Sequence, residues 1–136
     1  MNFESFIKQG KVKKSLPDQA LISSLIKCAD ADLIFLNNLP INKNSARKVM
    51  ISYYDTLRSL LEAIASKEGY KVYSHEAFVY FLIDKNESPL AQKFDRFRKL
   101  RNKLNYYGTS ISSEEVKDNI EEIKQIINIL KDKYLK

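Results

Sequence analysis

The strongest constraint on this chain is the spacing of its apolar residues, which return every three or four positions almost from end to end. Between residues 49 and 64 the set is Val49, Met50, Tyr53, Leu57, Leu60, Leu61 and Ile64, the repeat of one helix face. No stretch sustains the period-two alternation of a half-buried strand. Helix breakers are scarce, with three glycines and three prolines in 136 residues, so the chain is expected to form a few long helices joined by short connections.

A short piece around Phe3–Gln9 comes first, and "GKVKKS" reads as a basic turn. The first long helix is expected to start near Ser15, with Pro17 and Asp18 in its first turn, and to end at Pro40. Its stripe is Leu21, Leu25, Cys28/Ala29, Leu33 and Leu36. Asn42 or Asn44 would cap the second long helix, and Gly69 suits the position just beyond its end. Ser74 would cap a shorter third helix over "HEAFVYFLIDKN". The fourth is expected to take Ser88 as N-cap and Pro89 as its first residue, and to run to Gly108. The last opens on Ser112-x-x-Glu115, a capping box, with the stripe Val116, Ile120, Ile123, Ile127, Leu130 and Tyr134. Short connections favour antiparallel neighbours. The expected fold is all-α: five helices, arranged as an up-and-down four-helix bundle with an additional short helix, in a single domain over residues 1–136.

Cys28 is the only cysteine, which excludes an internal disulfide and suits a reducing compartment. No apolar run reaches the roughly 20 residues of a membrane span, and "MNFESFIKQG" has no apolar core of a secretion signal. The expectation is a soluble cytoplasmic protein with no membrane association.

The net charge of +6 is uneven. Residues 85–107 carry Lys85, Lys93, Arg96, Arg98, Lys99, Arg101 and Lys103 against Glu87 and Asp95, a local excess of +5. A focused basic stripe can be a polyanion footprint or simply a solvated lysine face. One histidine and one cysteine cannot build a zinc site, so no metal is expected. No glycine-rich phosphate loop is present, and no cofactor is implied. Asp55 and Glu62 could share a helix face, but interleaved carboxylates and lysines mostly mark solvated surface. His75 reads as an exposed first-turn residue and, with an ordinary pKa near 6.5, as a secondary candidate base. Tyr53, Tyr54, Tyr70, Tyr73, Phe78, Tyr80 and Phe81 read as core and interface before they read as a base-stacking platform.

Arg101 stands apart. At 100° per residue, Leu90, Phe94, Phe97, Leu100, Leu104 and Tyr107 form one apolar stripe, and Arg101 falls inside it with Asn105 and Arg98 close by. A buried unpartnered guanidinium costs several kcal/mol. It therefore needs an internal carboxylate, a path along which it can snorkel, or a cleft where its fork meets phosphate oxygens.

On these segments the chain resembles a HEPN domain, a small all-α family. "GKVKKSLPDQALISSLIKCADADL" is similar to the family's opening helix, "ARKVMISYYDTLRSLLEAI" to its tyrosine-bearing second helix, "GYKVYSHEAF" to the following link, and "FRKLRNKLNYYG" to its arginine–polar signature. The resemblance implies a homodimer paired about a two-fold axis near the signature helix. It also implies RNA or nucleotide as ligand and a minimal nucleotidyltransferase as partner or antitoxin. The family motif is Arg, a polar residue, then His four to six residues later. It maps onto Arg101 and Asn102, but Tyr106, Tyr107 and Gly108 occupy the histidine positions. Tyrosine is a poor base at neutral pH, and general acid–base help is typically worth about 10²–10⁴ in rate. His75 would substitute only if folding or dimerisation brought it alongside Arg101.

The leading expectation is thus a HEPN-like dimer that binds RNA or nucleotide through a basic cleft. Arg98, Lys99, Arg101, Asn105 and Tyr107 would form the binding set, and Arg101, Asn102 and Tyr106 the remnant of a catalytic one. One alternative is a metal-independent endoribonuclease toxin of a toxin–antitoxin pair. The other is a helical interaction module without a nucleic-acid role, in which Arg101 sits in an internal ion pair.

Overall fold

A computed structural model describes residues 1–136 and shows an all-α bundle carrying one small ribbon. The elements in order are α1 (Phe3–Lys8), β1 (Val12–Lys14), α2 (Gln19–Asn37), α3 (Ala46–Lys67), β2 (Tyr70–Val72), α4 (Ala77–Asp84), α5 (Ser88–Tyr106) and α6 (Ser113–Tyr134). Four helices are long, as the spacing predicts. There are six rather than five, because the N-terminal piece is itself a helix. Asn2 caps it by accepting from the Ser5 N–H, and the Ser5 hydroxyl answers the Asn2 N–H.

The centre of the bundle is α3. Of its 22 residues, 14 are buried, and α2, α5 and α6 all pack against it. Tyr53, Tyr54, Leu57, Leu60, Leu61 and Ile64 belong to one continuous core with Phe78, Phe94, Phe97, Leu104, Ile123 and Leu130. A helix buried on several sides is apolar around most of its circumference, and only one edge of α3 is left to polar residues.

The caps depart from expectation by a residue or more. The first long helix begins at Gln19, with Asp18 as N-cap accepting from the Leu21 N–H; Ser15 and Pro17 lie before it. Its buried positions are Ile22, Ala29 and Leu36, while Cys28 faces outward. Ser45 occupies the N-cap of α3, and Asn42 acts one turn earlier by accepting from the Asn44 and Ser45 N–H groups. Glu76 rather than Ser74 precedes α4, and Glu87 rather than Ser88 precedes α5, so Pro89 is second in that helix. Ser112 caps α6 as expected, accepting from the Glu115 N–H.

The sequence reading contains no strand, yet "GKVKKS" and "GYKVYS" pair. Val12, Lys13 and Lys14 run antiparallel to Val72, Lys71 and Tyr70. Gly69 makes this turn: it follows α3 with φ +90°, and its carbonyl accepts from the Ser15 N–H at 2.8 Å. A Cβ there would stand 3.1 Å from the Ser15 carbonyl oxygen. The ribbon carries the chain from the end of α3 back over that helix, and residues 73–76 are set down beside it.

Candidate anion-binding site

Half of the basic stripe of α5 is spoken for. Asp95 Oδ1 accepts from both Nε and Nη2 of Arg98, at 3.0 and 2.7 Å, and Lys99 Nζ lies 3.0 Å from Asp95 Oδ2. Burial would raise the Asp95 pKa, but these donors outweigh it and hold the carboxyl below its ordinary value. Arg96 reaches across to Glu122 on α6 at 2.8 Å.

Arg101 differs from all of these. It is half-buried beside the fully buried Phe94, Phe97 and Leu104. Its Nε is sealed from solvent without a hydrogen-bond partner. No carboxylate of the chain pairs with it, so the internal ion pair of the module alternative is absent. Its remaining N–H groups open toward solvent, and the Tyr106 ring lies over its guanidinium at 5.8 Å from the ring centroid. A sealed charged donor left unbonded is costly, and a guanidinium fork is shaped to receive an oxyanion in two parallel hydrogen bonds.

Two residues that the sequence reading kept apart meet beside it. Tyr54, fully buried on α3, stacks on Phe94 of α5 with ring centroids 5.5 Å apart. Its hydroxyl lies 3.0 Å from His75 Nδ1. His75 is half-buried in the turn before α4 and is not the exposed first-turn residue expected. Burial, reinforced by the positive charges of Arg58, Arg101 and Arg98, pushes its pKa down to about 4. Burial also raises the Tyr54 hydroxyl far above its usual range. Both groups are therefore neutral at physiological pH.

Arg58, one turn beyond Tyr54, donates to Glu62 at 3.1 Å. This pairing is where Glu62 belongs, while Asp55 lies on a neighbouring edge of α3. Burial raises the Asp55 pKa, and Arg101, Arg58 and Lys48 oppose the rise. Asp55 and Asp32 also line a hollow of about 280 Å³ between α2 and α3.

Of the expected site residues, the structure brings together Arg98, Arg101 and Tyr106. Asn102 is half-buried next to Arg101, whereas Asn105 and Tyr107 are exposed on the final turn and Lys99 faces outward toward Asp95. The aromatic set does not form a platform. Tyr53, Tyr54, Phe78 and Phe81 are buried, and Tyr73 alone of the seven is exposed. Sequence reasoning missed Tyr54 and Arg58 as companions of Arg101, and held His75 as one only if folding or dimerisation brought it alongside. The available signal was the edge Tyr54–Arg58–Glu62, polar side chains at intervals of four along α3.

The arrangement offers hydrogen-bond donors from three directions: α3, the turn before α4, and α5. No group of three or more His, Cys, Asp or Glu side chains is placed to hold a metal ion, and no helix is long and apolar enough to cross a membrane. Searches of protein-family models, of curated proteins and of solved structures each return no match to this chain.

Proposed function

We propose that this protein binds RNA or a nucleotide through a phosphate group seated at Arg101. The observation that carries this reading is the unspent guanidinium: every N–H of Arg101 lacks a partner within the chain, and one of them is sealed. Its neighbours Arg98 and Lys99 are engaged by Asp95, and Tyr106 walls the outer side. The resemblance to HEPN domains extends the proposal to a homodimer paired near α5, with Arg101 and Asn102 facing their symmetry mates, and to a minimal nucleotidyltransferase as partner.

The test is labelled single-stranded RNA titrated with the protein in EDTA, across a range of salt concentrations, beside Arg101→Ala. The expected outcome is binding that weakens steeply with salt and is lost in the variant. Unchanged binding by Arg101→Ala overturns the proposal. Metal-independent cleavage in the same assay would favour the endoribonuclease reading, which draws its support from a neutral His75 within the field of Arg101. Cleavage that survives Arg101→Ala excludes that reading.

A further inference from the structure

A second unspent donor lies within the field of Arg101, and its role rests on the phosphate-binding reading. Tyr54 and His75 are joined by one hydrogen bond, and its direction follows from their chemistry. A phenol is the stronger acid and an imidazole nitrogen the stronger base, so the Tyr54 O–H donates and Nδ1 accepts. The ring proton then resides on Nε2. That atom makes no hydrogen bond within the chain and, unlike Arg101 Nε, is not sealed from solvent. It is a neutral donor on the side of the ring away from Nδ1, within the electrostatic reach of Arg58, Arg101 and Arg98.

We propose that His75 Nε2–H is a binding donor of the Arg101 site and that Tyr54 is the positioning residue fixing its tautomer. A neutral histidine adds a hydrogen bond to the bound phosphate without adding charge to a site that already holds arginines.

The single histidine gives a clean readout. Nitrogen-15 imidazole spectra of the full chain at neutral pH are expected to show one ring, protonated at Nε2 and bare at Nδ1. An oligoribonucleotide with hydroxyl groups at both ends, which offers only diesters, shifts the Nε2 signal. Tyr54→Phe redistributes the proton between the two nitrogens, a change that a purely structural role would not produce. His75→Gln keeps a donor near the same place and retains binding within about twofold, while His75→Phe weakens it roughly tenfold, the worth of one hydrogen bond to a charged group.

The inference is overturned by a proton on Nδ1, by an oligoribonucleotide that binds without shifting the ring, or by His75→Phe binding as wild type where Arg101→Ala has lost binding. If Arg101→Ala binds RNA unchanged, the phosphate-binding reading itself falls. Should His75→Phe fail to fold, the tautomer and the RNA-induced shift in the unaltered protein decide.

Discussion

The Tyr54 hydroxyl lies 3.0 Å from His75 Nδ1, and this bond ties the central helix of the bundle to the turn that opens α4. The histidine is thereby held, uncharged, in a field of arginines.

That placement gives stability a pH dependence. The His75 pKa falls from 6.5 to about 4 on folding, so between those values the unfolded chain binds more protons than the folded one. The contribution is fully present above pH 6.5 and is lost as pH falls toward 4. Solvent access reduces its size to about 1–2 kcal/mol. Urea unfolding midpoints measured from pH 7.5 to 4 should decline through this window, and His75→Gln should flatten that part of the curve.

Arg101→Ala should leave stability nearly unchanged. Breaking a buried ion pair costs about 3–5 kcal/mol, but Arg101 has no carboxylate to abandon and its sealed Nε is already unpartnered. The expected change is within about 1 kcal/mol in either direction, set by the packing of its aliphatic stem against the Phe94–Leu104 surface. Equilibrium urea unfolding measures it, and a loss of several kcal/mol would show that Arg101 is a structural residue.

Asp95→Asn should tighten RNA binding. This carboxylate holds both Arg98 and Lys99, so neutralising it frees two cations and removes a charge that repels phosphate. An increase of roughly tenfold at low salt, fading as salt rises, is expected in the titration used for Arg101→Ala. Binding weaker than wild type would mean that the Asp95 pair orients Arg98 for contact.

The opposite end of the bundle offers a stability test free of the site. Glu87 is 8% exposed and accepts from Tyr134 Oη at 2.5 Å and Lys133 Nζ at 2.9 Å, fastening α6 to the start of α5. Burial would raise its pKa, but these two donors outweigh it and hold it below normal. This part of the stability is present above the ordinary carboxylate range and is lost as pH falls through the depressed value. Glu87→Gln should cost about 1–2 kcal/mol in urea unfolding and leave RNA binding unaltered.

The long helices were legible because their signals are local. The stripes of α3 and α6 and the Ser112 cap lie within a few residues of one another, and no distant partner is needed to read them. Arg101 was legible for the same reason, since an arginine on an apolar stripe is visible on a helical wheel. Its neighbours were not. Tyr54 looks like one more core aromatic until His75 is known to lie over it, and His75 lies there because of a ribbon that no local pattern announces. Val12 and Val72 are paired across 60 positions, in strands of three residues each, too short to show alternation. The cap displacements at Asp18, Ser45 and Glu87 arise where several polar residues compete for one helix start, and backbone direction decides among them.

The ribbon also sets an order of events. Closing a loop of about 60 residues carries an entropy cost that local helix formation does not, so the register of Val12 with Val72 can lock only after α2 and α3 have met. His75 acquires its place from that register, whereas Arg101 acquires its own from α5 alone. A fluctuation that frays the ribbon would thus loosen the place of the imidazole while leaving the guanidinium in its own.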